Sequence, residues 1–337
     1  MTHLSIAIPT RRSLEQSRFS IESALIYADK CNARVIISDN SQDADKARWL
    51  SGLGANVTYL HSTAQDATLN LINALEHVTT PFVMPFADDD AIYRLDDQQP
   101  MNLVDLASDV VCVRPRTFTW IDEGGVIGGH DFIIDEATPA KRIRQYSLRH
   151  GGNNSLYYSI FRSDLFVKVF NIFHRSNPLR AGFSDWCLVY ALIASGKVIF
   201  DPSAVCCYDI GQWASQARIE TRMRSLIQQA GLPEAVQPYL SLFYFLDLYV
   251  LLMWRELPLD AKERLEAAIA CAQIYLPGFA ANVTSQPNNY SLETRAFADR
   301  LYAIQHPHTL FLEVLPLVDA IKPGVGEAYL RFYEALA

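Results

Sequence analysis

Phe82-Val83-Met84-Pro85-Phe86-Ala87-Asp88-Asp89-Asp90 is an apolar run of strand character that ends in three consecutive carboxylates. Adjacent negative charges repel one another unless water or a positive charge offsets them. A divalent cation carrying a phosphorylated ligand meets that need. On an extended segment, residues i and i+2 project to the same side, so Asp88 and Asp90 are expected to converge while Asp89 points elsewhere. Hard cations such as Mg²⁺ and Mn²⁺ take oxygen ligands of this kind. The plain alternative is a solvated acidic turn.

The segments upstream of this stretch set its context. Residues 4–8 read as a strand. Ser13 with Gln16 forms a capping box that opens a helix to about Lys30. Residues 34–38 read as a second strand, ending at Asp39-Asn40-Ser41, and a helix follows through Trp49 with Asp43 as its cap. Residues 57–60 form a third strand, 68–77 a helix and 82–85 a fourth strand. Short apolar strands alternating with amphipathic helices predict an α/β fold, a mostly parallel sheet with helices on both faces. Ligands of such sheets bind beyond the carboxyl ends of the strands. Pro9-Thr10-Arg11, Asp39 and Asp88 all fall at such ends.

Farther on, residues 110–120 read as a strand, and Glu123-Gly124-Gly125 as a turn. Residues 139–149 form a basic segment expected to be a mobile loop, 155–161 a strand and 164–173 a helix. Ser184 caps a helix over 185–195, and 197–200 and 205–208 are the last strands. Past Gly211, long helical patterns punctuated by proline predict an all-α region, so the expected domains are 1–210 and 211–337. The run from Tyr239 to Trp254 is apolar all round, which places it at the centre of that region. It falls short of the ~20 apolar residues of a spanning helix.

The chain has 337 residues, half of them hydrophobic, and a net charge of −8, which speaks against a general nucleic-acid binder. Six cysteines without C-x-x-C spacing read as reduced thiols. The amino terminus lacks a basic leader before a long apolar run. The expectation is a cytoplasmic protein, with contact at the inner face of the membrane left open.

In their order, the strand ending Pro9-Thr10-Arg11, the strand ending Ser38-Asp39-Asn40-Ser41, Asp88-Asp89-Asp90 and the helix opened by Phe183-Ser184-Asp185 resemble the family 2 inverting glycosyltransferases with the GT-A fold. The resemblance covers about residues 3–210. It implies a metal-dependent enzyme that moves a sugar from a nucleoside-diphosphate donor, UDP-linked, to a glycan or lipid-linked hydroxyl. A bacterial surface polysaccharide is the natural setting. It also implies that Pro9, Thr10, Arg11, Asp39, Asp88 and Asp89 line the nucleotide, that Asp88 and Asp90 hold Mn²⁺ or Mg²⁺, and that Asp185 is the catalytic base.

Two positions depart from the family pattern. Arg12 stands where Asn is frequent, and Cys206-Cys207-Tyr208-Asp209 replaces a late histidine ligand. Asp185 in the first turn of a helix has its charged form stabilised, which suits a base; the same position also simply favours the helix. Arg11 and Arg12 suit phosphate, and Trp186, Asn153 and Asn154 are candidate acceptor contacts. A sugar-phosphate nucleotidyltransferase would need a Gly-rich loop after the first strand, and none is present. A non-catalytic sugar-nucleotide or partner-binding module stays open, as does self-association through the helical region.

Overall fold

The computed structural model describes residues 2–121, 124–179 and 185–337. Four parallel strands form one side of the sheet: β1 (Leu4–Thr10), β2 (Arg34–Asp39), β3 (Val57–His61) and β4 (Phe82–Pro85). They are linked by helices α1 (Leu14–Cys31), α2 (Ala44–Ser51) and α3 (Ala67–Leu75). The caps expected from the sequence are present. Ser13 and Gln16 make their reciprocal box, and Asp43 accepts from the Asp45 and Lys46 amides.

The strand order is β3-β2-β1-β4, followed by β8 (Ile160–Arg162), β6 (Val110–Ile121), β9 (Lys197–Asp209) and β5 (Ala91–Arg94); β7 (Gly125–His130) pairs with β6. The winding therefore reverses between β1 and β4. Right-handed crossovers then put α1 and α2 on one face and α3 on the other. β8 is antiparallel to both β4 and β6, β9 runs parallel to β6, and β5 runs antiparallel to the end of β9, with Ala91 opposite Cys207. The sheet is apolar on both faces: Ile6, Ile8, Val35, Ile37 and Met84 pack on the face of α1, and Ala7, Ile36 and Val83 are buried on the other.

Several sequence expectations change here. The basic segment 139–149 is not a loop but a helix, α4 (Pro139–Arg149). Proline at its first turn suits the start of a helix, and Ala140, Ile143 and Tyr146 form its buried stripe. Arg142 is buried as well. Its guanidinium donates to the carbonyls of Glu136 and Ala137 (3.1 Å each), Ile193 (2.8 Å) and Ala194 (2.5 Å). The expected strand over 155–161 is a 3₁₀ turn, Ser155–Tyr158, followed by the short β8. The two late strands are one, β9, whose register against β6 shifts at Pro115/Arg116.

The remaining helices are α5 (Ser163–Ser176), α6 (Asp185–Ser195), α7 (Gln216–Gln229), α8 (Leu240–Met253), α9 (Ala261–Ser285), α10 (Leu292–Arg300), α11 (Pro307–Ile321) and α12 (Val325–Leu336). Compact packing groups the chain into two units: residues 1–133, 152–171 and 197–218, and residues 134–151, 172–196 and 219–337. The single cut expected near Gly211 thus stands beside a division in which α4 and α6 belong with the helical part. In that second unit α8 is central, as expected, packing against α6, α9, α11 and α12. With the 3₁₀ turn before it, it makes a 20-residue apolar stretch, Glu234–Met253. That stretch and Ala261–Ser285 are long and apolar enough to cross a membrane, yet 61% and 50% of the most apolar 18-residue window of each is buried inside the protein.

Candidate functional site

Three carboxyl ends meet at the reversal of winding. Thr10 closes β1, Asp39 closes β2, and Asp88 follows β4. Thr10 Oγ1 donates to Asp88 Oδ2 at 2.6 Å, and the amides of Arg11 and Arg12 donate to the same oxygen at 3.2 and 3.3 Å. Asp39 is buried and accepts from the Ser41 amide at 2.9 Å.

The cation that joins these groups is Lys46, on α2. It is fully buried. Its ammonium donates to Thr10 Oγ1 and to the Arg12 carbonyl (2.7 Å), and pairs with Asp39 Oδ1 at 3.6 Å. Burial pulls the Lys46 pKa down, and the charges of Asp39 and Asp88 oppose that shift. Asn70 on α3 is a second buried link. Its amide donates to the carbonyls of Thr10 (3.3 Å) and Ser38 (2.8 Å), and its carbonyl accepts from Ser38 Oγ at 2.6 Å. Sequence reasoning passed over both residues. An Asp or Arg at a strand end announces itself, whereas a lysine in an amphipathic helix reads as solvated surface. The only signal available was its place three residues after the Asp43 cap, which turns its side chain back toward the strand ends.

The acidic stretch departs from the extended geometry expected of it. Asp88 and Asp89 form a turn between β4 and β5, so the alternation that would pair Asp88 with Asp90 is absent. Asp88 and Asp89 share a partner instead. Arg12 Nε lies 3.2 Å from Asp88 Oδ1, and Arg12 Nη2 donates to Asp89 Oδ2. Asp90 turns inward to the start of β5. It is 1% exposed; its Oδ1 accepts from the Asp209 amide at 2.8 Å, and its Oδ2 has no hydrogen-bond partner. Burial, and then the charge of Asp89, push the Asp90 pKa well up, with Asp209 and Asp88 adding to the shift. The Asp89 pKa is raised by burial too, and Arg12 opposes the rise. Asp209, at the end of β9, therefore belongs to the same charge cluster.

The cluster offers oxygen ligands of the kind a hard divalent cation takes. Its donors are all carboxylate oxygens, and one of them, Asp90 Oδ2, is buried without a partner. Among the described residues, no group of three or more His, Cys, Asp or Glu side chains is placed so that it could hold a metal ion. A cation such as Mg²⁺ is commonly held by one or two carboxylates, its shell completed by water and substrate phosphate.

Asp185 is the first residue of α6, in the helical unit, while Phe183 and Ser184 lie outside the described residues. Burial, then the charges of Cys187 and Asp185, push the Tyr244 pKa up, which places Tyr244 within electrostatic reach of Asp185. Trp186 packs edge-on to His150, with ring centroids 4.8 Å apart, and burial lowers the His150 pKa. Asn153 and Asn154 belong to the sheet unit. Asn153 Oδ1 accepts from the Ser155 amide at 3.0 Å, a turn-forming contact, and Asn154 is buried. Pro9 is half-buried within β1, and Arg11 is exposed after it.

No protein-family model and no curated protein matches this chain. Among solved structures it is similar to Staphylococcus aureus TarS residues 1–349 in complex with UDP-GlcNAc. The identity is 12% over 99% of this chain and 91% of that one, at a TM-score of 0.48. It is also similar to the same protein with UDP, at 13% identity, the same coverage and a TM-score of 0.45. The mannosyltransferase PcManGT from Pyrobaculum calidifontis, in complex with GDP-Man and Mn²⁺, shows 14% identity over 99% of this chain and 86% of that one, at a TM-score of 0.40.

Proposed function

We propose that this chain transfers a sugar from a nucleoside-diphosphate donor, UDP-linked, to a hydroxyl of a glycan or lipid-linked acceptor. One observation carries the reading. Thr10 and Asp88 hydrogen-bond across the β1/β4 reversal, and Lys46 ties Asp39 into the same group. A doubly wound sheet binds its nucleotide at that point of its topology.

In this reading Asp39 accepts from the nucleoside, and the Thr10–Arg11–Arg12 segment runs along the diphosphate. The carboxylates at 88–90 would hold Mn²⁺ or Mg²⁺, which supplies charge stabilisation to the departing diphosphate. Lys46, already balanced by Asp39, fixes the loop rather than binding donor. Asp185 takes the proton of the acceptor hydroxyl as it attacks. A single base implies a single displacement, hence inversion at the anomeric carbon.

The test is Asp185→Asn. Loss of a general base lowers the transfer rate by about 10²–10⁴-fold. Nucleotide affinity, measured by calorimetry, should stay within about twofold, since the variant keeps the fold and the nucleotide rim. A wild-type chain that binds nucleotide but moves no sugar from any UDP- or GDP-linked donor would make the protein a binding module instead.

A further inference from the structure

Arg12 occupies a position that a bound divalent cation would contest. Its guanidinium spans Asp88 and Asp89, whose side chains are 13% and 29% exposed, while Asp90 keeps a buried oxygen without a partner. Its backbone is pinned on both sides, the amide by Asp88 and the carbonyl by Lys46. Its side chain is 41% exposed. The anchor is therefore fixed by the backbone, while the fork is held by its contacts with Asp88 and Asp89. Immediately after it Ser13 caps α1, and the Leu14 amide donates to Asp43 Oδ2 at 2.9 Å, so the fork stands beside a helix amino terminus that is already capped.

We propose that Arg12 is a positioning residue that exchanges partners when the donor binds. Without ligand its guanidinium neutralises Asp88 and Asp89. When a divalent cation arrives, the cation takes over those carboxylates and the guanidinium turns to the diphosphate. The inference rests on the donor site proposed above. It explains why three carboxylates and Asp209 are tolerated together in the ligand-free chain. It also makes cation and diphosphate bind cooperatively, because the cation frees the group that grips the phosphates.

Two affinities test it in wild type, Arg12→Gln and Arg12→Lys: that of Mn²⁺ alone, by electron paramagnetic resonance of the free ion, and that of UDP and GDP at saturating Mn²⁺, by calorimetry. Exchange predicts that Arg12→Gln binds Mn²⁺ alone more tightly, by about fivefold or more, because a competing positive charge is gone. It also predicts that the same variant binds nucleoside diphosphate more weakly, by about fivefold or more, because a charge-assisted contact is gone. Arg12→Lys keeps the charge but not the fork, so it falls between, and it carries the comparison if Arg12→Gln does not fold. A merely structural ion pair would weaken both affinities or leave both unchanged, and either result overturns the exchange. Tighter Mn²⁺ binding in Arg12→Gln, with no nucleotide bound by wild type, would support the competition at the carboxylates while overturning both the phosphate half and the donor site.

Discussion

Asp247 is the buried carboxyl of the helical unit, on α8. Its Oδ1 accepts from Asn177 Nδ2 at 2.6 Å and Tyr329 Oη at 2.7 Å, and its Oδ2 has no hydrogen-bond partner. Burial raises its pKa from 3.8 to about 7, against the pull of both donors. The folded chain thus keeps a proton that the unfolded chain releases near pH 4. Stability from this group is greatest below that pH. It is lost as pH rises toward 7 and stays lost above, by up to about 1.4 kcal/mol per pH unit inside the window. Asp247→Asn is neutral throughout. Melting temperatures taken from pH 5 to 8 should therefore fall for wild type relative to the variant, which becomes the more stable of the two at pH 8. Parallel profiles would contradict the assignment. A lone Asp in an apolar run was visible in the sequence, but its partners were not, because Asn177 and Tyr329 are distant in the chain. The same limit hid Lys46 and Asn70 from the site. Asp39 and Asp88 were legible because a strand end and a turn residue mark themselves locally.

Elements with strong local signals were legible almost to the residue. The strand Phe82–Pro85 and the Ser13/Gln16 capping box need only neighbours in sequence. β5 escaped because four residues after an acidic turn carry too little pattern, and its pairing partner in β9 lies more than a hundred residues away. α4 was misread because its charges were counted without its buried stripe. The packing of α12 on α11 shows the same dependence on distant neighbours. Gly326 lies in the first turn of α12, where alanine would ordinarily stabilise a helix by up to about 1 kcal/mol. A Cβ there would meet the Leu315 carbonyl oxygen of α11 at 2.6 Å. Backbone cannot yield as a flexible side chain does, so the sign reverses. Gly326→Ala should destabilise by about 1–3 kcal/mol in urea unfolding. An unchanged or raised midpoint would show that α11 and α12 can part without loss.

At the scale of the molecule, the alternation of strands and helices announced an α/β sheet, and the proline-punctuated remainder announced helices. The grouping of α4 and α6 with that remainder was not legible, because a chain that leaves one packing unit and returns to it carries no boundary signal in its composition. What the sheet provides is a rim at the β1/β4 reversal that gathers a buried lysine, an arginine and five acidic residues, Asp39, Asp88, Asp89, Asp90 and Asp209, from separate segments. The central claim is that this rim holds a nucleoside diphosphate through a divalent cation. Thermal unfolding with UDP, GDP and their sugars, each with and without Mn²⁺, tests it directly, using wild type and Asp90→Asn, which keeps an oxygen for the Asp209 amide. A ligand at a hundred times its Kd adds about 2.7 kcal/mol of stability, a rise on the order of a few degrees. The account predicts that rise for wild type only when nucleotide and Mn²⁺ are present together, and its loss in Asp90→Asn. A shift that is indifferent to Mn²⁺ and to the substitution, or no shift with any nucleotide, would contradict it.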